Sequence, residues 1–242
     1  MTAPEPFTDP EAIDRMEAEH RPLWSAFVRS FSPLLFPGAR VLDFGCSGGG
    51  LLRLLFERQT EGAIPEIALA AGIDVDEPAM RTVLARAAGR PPRDLPIVFT
   101  TGRLAAFPEQ FDLVVSHEVV YLLPDLRETF AEIRAALRDQ GHFCFTTGCH
   151  TDNPLFARWR RSLEAEGVAV HARAADAYER ALRDAGFIEI RDDRLRLREE
   201  EYAAWAAARG TAQPNPAWFA SSAEERDYYV RTGKLLLTAQ RG

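Results

Sequence analysis

The sequence predicts an α/β protein wound on both faces of a mainly parallel sheet, and three observations carry that prediction. Short apolar runs of strand length alternate with longer stretches whose apolar residues recur every three or four positions, the pattern of strands joined by crossover helices. The first core run, Val41-Leu42-Asp43-Phe44, passes straight into a glycine turn, Gly45-Cys46-Ser47-Gly48-Gly49-Gly50. The next, Ala70-Ala71-Gly72-Ile73, ends in the carboxylate Asp74. At 242 residues the chain suits one domain with accessory helices, since a domain takes roughly 100–200 residues.

Taken in order, Asp9-Pro10-Glu11 opens a helix with a capping residue followed by proline at the first helical position. Ile13, Met16 and His20 share one face of it, and Pro22 is expected to interrupt it. Leu23, Trp24, Phe27, Val28 and Phe31 form a second apolar stripe that stops before Pro33 and Pro37. The two helices either pack on the sheet or close over its ligand edge as a lid. After the glycine turn, Leu51, Leu52, Leu54, Leu55 and Phe56 have helical spacing. Ile67 to Ile73 reads as a strand, Glu77-Pro78 opens a helix through Val83, Leu84 and Ala88, and Ile97 to Thr100 is a short strand after a proline-rich loop. Phe111 to Val115 is the fourth strand, Asp125 to Leu137 a helix, and His142 to Thr147 the fifth strand.

Beyond it, Cys149 to Pro154 is a polar turn, and Leu155 to Glu166 a helix carrying Phe156 and Trp159. Ala175 to Ala185 is a further helix ending at Gly186, a left-handed cap. The strand Phe187 to Leu197 and the strand Lys234 to Ala239 enclose two helices, Glu199 to Arg209 and Ser221 to Val230, around a proline-rich aromatic link. That insertion is either part of a lid or an oligomer contact.

A glycine turn alone also serves nicotinamide, flavin and phosphate sites, so the neighbouring residues decide. No Gly-Lys-Ser/Thr ending follows, which disfavours a P-loop. Asp43 stands two residues before the first glycine, where a carboxylate meets a cationic amine and repels a pyrophosphate. The pair Val41-Leu-Asp-Phe-Gly-Cys-Ser-Gly-Gly and Gly72-Ile-Asp-Val-Asp, in that order, resembles the class I S-adenosylmethionine-dependent methyltransferases. The resemblance covers residues 39–148 and implies a doubly wound, seven-stranded, Rossmann-like sheet with N-terminal lid helices, helical insertions after the fifth and sixth strands, and an antiparallel last strand. It divides the single domain 1–242 into lid helices (1–36), a cofactor-binding core (37–148) and a substrate-side half (149–242).

For the cofactor S-adenosylmethionine, the resemblance implies contacts from Asp43, from Gly45, Cys46, Ser47 and Gly48 in the turn, and from Asp74 to the ribose hydroxyls. The family's adenine acceptor is an aspartate after a glycine. Here Gly102 is followed by Arg103, which has no acceptor, so the adenine falls to backbone near Arg103 and Leu104 and to packing on Val75. Ser116 ends the fourth strand beside the sulfonium. In place of the Asn/Asp-Pro-Pro-Tyr element of adenine and amide methyltransferases stands Ser116-His-Glu-Val. A metal-binding branch carries Glu-x-x-Glu-His there, but Glu118 is followed by Tyr121 and Leu122, so no metal is implied. His150 and His117 are the candidate general bases, each just past a strand end, with Asp152 available to orient His150. Structural histidines at such turns are common as well. Trp24, Tyr121 and Trp159 are the aromatic candidates for the substrate side, and Trp159 reads equally as helix packing.

The net charge of −7 argues against a broad basic surface, which makes nucleic acid an unlikely partner. Three cysteines fit neither a disulfide framework nor a zinc site. No apolar run approaches the roughly 18 residues of a membrane span, and the acidic, proline-rich start Met1-Thr-Ala-Pro-Glu-Pro lacks the basic-then-apolar order of an export signal. The expectation is a cytoplasmic enzyme, with a homodimer as one option for its assembly, that methylates an oxygen, nitrogen or carbon of a small metabolite. Modification of tRNA or protein, or cofactor binding without transfer, are the alternatives.

Overall fold

The computed structural model describes residues 10–75, 97–100, 104–209 and 214–242. Seven strands form one sheet: β1 (Ala39–Phe44), β2 (Ile67–Ile73), β3 (Ile97–Thr100), β4 (Phe111–His117), β5 (Leu137–Thr147), β6 (Phe187–Leu195) and β7 (Lys234–Arg241). Their order is β3-β2-β1-β4-β5-β7-β6. Strands β1 to β5 pair in parallel, and β7 inserts antiparallel between β5 and β6. Strands are added outward from β1 to β3 on one side and from β4 onward on the other, so the junction of β1 and β4 is a topological switch point, the place where such sheets receive ligands at their carboxyl ends.

The central strands are buried on both faces, as their near-continuous apolar runs require. One face carries α1 (Pro10–Phe31) and α2 (Gly50–Thr60), whose Phe27, Phe31, Leu52 and Leu55 pack with Val41, Val115 and Leu236 of the sheet. The opposite face carries α3 (Leu126–Ala136) and α5 (Ala175–Asp184), whose Phe130, Ile133, Tyr178 and Leu182 pack on Phe143, Phe145 and Leu237. Between them in sequence lies α4 (Phe156–Ala165). The insertion before β7 contains α6 (Glu199–Arg209) and α7 (Ser222–Asp227), the latter running into a π-helical turn, Tyr228–Thr232.

The main correction concerns the first helices. Pro22 was expected to split them, yet α1 is one helix of 22 residues. An interior proline costs about 3 kcal/mol, whereas burying a large apolar side chain gains roughly 1.5–3 kcal/mol, and Leu23, Phe27, Val28 and Phe31 are all buried. The packing outweighs the missing hydrogen bond. Strand β5 also starts earlier than its apolar run, at Leu137, through an irregular register against β4. The helix expected from Glu77 lies outside the described residues.

Candidate active site

The turn after β1 is shaped by backbone bonds and by what lies above it. Gly45 and Cys46 both donate their N–H to the Ile73 carbonyl, at 2.8 and 3.1 Å, which ties the turn to β2. Gly45 has φ +80° and a Cβ there would lie 2.3 Å from Val119 Cγ2, so this position requires glycine on two separate grounds. Ser47, itself at φ +41°, donates its N–H to Asp74 Oδ2 at 2.7 Å. Asp74 therefore braces the turn across the gap between β1 and β2. Gly49 (φ 71°) starts α2 without any side-chain cap, leaving the helix's first N–H groups to face the carboxyl edge of the sheet.

Asp43 is 2% exposed. Burial, and then the Asp74 carboxylate, push its carboxyl up to about 8, so the group is protonated at neutral pH. Cys46 is buried and its thiol is raised by burial and by Asp43 and Asp74, which makes it an inert neighbour. Gly48 lies buried in the turn, its carbonyl accepting from Arg53 Nη1 at 2.7 Å.

The structure gives several expected contact residues other surroundings. The hydroxyl of Ser116 is wholly buried and donates to the Phe44 carbonyl at 2.8 Å, joining β4 to β1. Val75 is 98% exposed, and Leu104 is buried in a one-turn helix after β3. Arg103 lies outside the described residues.

A second polar group gathers where β4 and β5 end and β7 begins. Glu118 follows β4 at φ +60°, a strained value of the sort that clusters at functional sites. Its Oε1 accepts the Gly148 N–H at 2.8 Å and pairs with Lys234 Nζ at 3.0 Å. Lys234 is 5% exposed. His117 touches Phe27 and His20 of α1, ring centroids 5.8 and 6.2 Å apart, and neither ring nitrogen has a hydrogen-bond partner. Burial, the Lys234 charge and His20 hold its pKa well below the ordinary imidazole value, so the ring is neutral. Half-buried Trp24 stacks beside His20 at 5.9 Å.

His150 is 3% exposed, and its Nδ1 stands 3.9 Å from Asp152 Oδ2 without a hydrogen bond. That Asp152 oxygen accepts the Ala175 N–H at 2.7 Å instead. The expected orienting role of Asp152 is thus not made here. The His150 pKa is lowered by burial and by Arg194, partly offset by Asp152 and Glu118. Tyr121 is half-buried, its phenol raised by burial and by Glu118. Trp159 is buried, donates Nε1–H to the Trp218 carbonyl at 2.8 Å and meets Trp218, Phe219 and Tyr228 edge-on. Its ring lies so close to Gly148 that a Cβ there would fall 2.4 Å from it. Asn153 completes the wall, giving Nδ2–H to the Gly148 carbonyl at 2.6 Å.

Sequence reading passed over Lys234 and Thr146, and weighed Glu118 only as a metal ligand. One signal was available for the lysine: Lys234 shares strand parity with Leu236, a core residue, so its ammonium had to enter the core face and find a partner.

With this geometry in view, the methyltransferase domain family matches residues 16–190. Nocamycin O-methyltransferase of Saccharothrix syringae is 29% identical over 179 residues, a match covering 64% of this chain and 61% of that protein's length. A chain of the Haloferax volcanii complex containing the Trm112 methyltransferase activator aligns over 97% of both chains at TM-score 0.71 and 20% identity. Geranyl diphosphate C-methyltransferase from Streptomyces coelicolor A3(2), solved with Mg2+, geranyl diphosphate and S-adenosyl-L-homocysteine, aligns over 100% of this chain and 86% of that one at TM-score 0.66 and 18% identity. At such identities the likeness to the solved structures is one of fold.

Proposed function

Given that the chain belongs to the methyltransferase domain family and is a class I S-adenosylmethionine-dependent enzyme, we propose that it methylates a small metabolite at an oxygen, nitrogen or carbon nucleophile. The residues of the turn suit the cofactor. Asp43 is a buried carboxyl held in its neutral form, and a cationic group placed against it restores the ionised form that desolvation disfavours. Asp74 stands half-buried at the carboxyl end of β2, and the uncapped start of α2 faces the same edge. When bound, S-adenosylmethionine supplies an electrophilic methyl on a sulfonium.

The observation that carries the small-molecule reading is the wall beyond that edge. Trp159, Phe219 and Tyr228 are all buried, and they come from α4 and from the insertion before β7; we read this wall as the cover of the acceptor side. A folded macromolecule needs an open face there, and a metabolite does not. The name of the Saccharothrix syringae relative favours oxygen as the acceptor atom. We read α1 as part of this cover, because His20 lies against His117 and Trp24 beside His20.

Within the enclosure the chain's own task is to exclude water, orient the acceptor and remove a proton where the acceptor carries one. Of the two histidines, His117 is the better base: it is neutral and both its nitrogens are unengaged. His150 is 3% exposed, and its backbone N–H donates to the Gly148 carbonyl. Replacing His117 with Asn is expected to lower turnover by roughly 10²–10⁴-fold with affinity for S-adenosylhomocysteine unchanged.

The test is to supply methyl-labelled S-adenosylmethionine together with fractionated small-molecule extract, bulk tRNA and bulk protein. Label is expected in the small-molecule fraction alone. Label in tRNA or protein overturns the substrate class, and cofactor binding with no transfer to any fraction overturns the activity.

A further inference from the structure

Among the described residues, six buried side-chain nitrogen or oxygen atoms have no hydrogen-bond partner, and four of them, His117 Nδ1 and Nε2, Thr146 Oγ1 and His150 Nδ1, lie at the carboxyl ends of β4 and β5. Leaving a buried polar group unsatisfied is unfavourable, so a cluster of them at one end of a sheet calls for an explanation. Strand register shows how the cluster is built. His117 pairs with Thr146 across β4 and β5, and Thr146 pairs with Leu236 across β5 and β7. Side chains alternate along a strand, so His117 shares a face with Val115, Thr146 with Cys144, and Lys234 with Leu236, all three core residues of the α1 face. Imidazole and hydroxyl therefore lie side by side on one face, and the ammonium enters the same face two residues from Leu236, near enough for its charge to act on His117.

The group has spare capacity and a way in. An ammonium has three donors, and Lys234 has one acceptor among the described residues, Glu118 Oε1. That oxygen is also committed to the Gly148 N–H. The chain from His117 to Val119, and Tyr121, are half-exposed, so the group meets the surface beside the glycine turn. His20 of α1 and Lys234 of β7 are the charged or titratable groups that act on His117, with Glu118 behind the lysine.

Resting on the small-molecule reading above, we propose that Lys234, Thr146 and His117 form the subsite for the acceptor oxygen, and that the acceptor is a hydroxyl acid of phenol or enol type. The acceptor O–H gives its proton to a His117 nitrogen, which becomes imidazolium, and its electron pair stays on the oxygen. The resulting oxyanion lies against the Lys234 ammonium and accepts from the Thr146 hydroxyl. Glu118 is a positioning residue that holds the lysine.

The experiment uses para-nitrophenol, whose ionised form is coloured, with protein saturated in S-adenosylhomocysteine at a pH below the phenol's own pKa. Wild type is expected to bind the probe as the phenolate. Lys234→Met is expected to reduce the ionised bound fraction by about tenfold or more, in keeping with a lost charge-assisted hydrogen bond. Lys234→Arg restores part of it, and Thr146→Val gives a smaller loss. The double variant Lys234→Met/Glu118→Gln keeps the site neutral and guards against misfolding of the single one. Probe bound in its neutral form, no probe binding, or ionisation unchanged in both lysine-to-methionine variants overturns the proposal. Failure to bind S-adenosylhomocysteine, followed separately by calorimetry, overturns instead the methyltransferase reading on which it rests.

Discussion

A methyl group added at Gly45 has nowhere to go. The left-handed backbone costs an L-residue about 1–2 kcal/mol, and the contact with Val119 at 2.3 Å adds roughly 1–3 kcal/mol of overpacking. Gly38, with φ +87° and nothing within 4 Å of its Cβ position, isolates the first effect. Gly45→Ala is therefore expected to lose more stability in urea unfolding than Gly38→Ala, and Gly45→Ala/Val119→Ala to recover the difference. Equal losses for the two single variants dismiss the packing argument. Asp43 gives a second test. Its carboxyl stands at about 8 in the folded protein and near 3.9 when unfolded, so between those values the folded state holds the extra proton. Stability contributed by this group is then full below about pH 4 and falls as pH rises towards about 8, by at most roughly 1.4 kcal/mol per pH unit. Asp43→Asn is expected to flatten that slope in urea unfolding at stepped pH, and a slope unaffected by the substitution refutes the assignment.

At the level of elements, α1 shows what sequence pattern weighs badly. Proline is a local signal, while the burial of Leu23, Phe27, Val28 and Phe31 depends on a sheet that the helix meets only after folding. Pro22→Ala is expected to raise stability by up to about 3 kcal/mol and to leave the helix content by circular dichroism essentially unchanged, because the helix is already continuous. A gain in helix content equal to several turns would show that Pro22 breaks α1 in solution. The alternating order, the glycine turn and Asp74 were legible because each is written within a few adjacent residues. The grouping of His117, Thr146 and Lys234 was not, since strand pairing links 117 to 146 and 146 to 236, with Lys234 two positions from Leu236 on the same strand. The antiparallel insertion of β7 could be expected from family resemblance, but the partner of its first residue could not. Trp159, open to two readings in sequence, is buried against Trp218, Phe219 and Tyr228, which is helix packing.

For the whole molecule, charge and enclosure point the same way. The chain carries −7, and no helix among the described residues is long and apolar enough to cross a membrane. Surface ion pairs such as Arg160–Glu164 and Arg183–Glu179 are worth little individually, and the net negative charge opposes a polyanion. A tRNA substrate gripped through six to ten phosphates loses about 10³–10⁵ in affinity between about 50 and 200 mM salt. A metabolite held by the Glu118–Lys234 end of the sheet, where Lys234 is 5% exposed, is shielded from the ion atmosphere that screens surface charges. Once an acceptor is in hand, kcat/KM is expected to change by no more than about twofold over that salt range. A fall of a hundredfold or more would show that an exposed electrostatic surface, and not the buried edge of the sheet, is what holds the substrate.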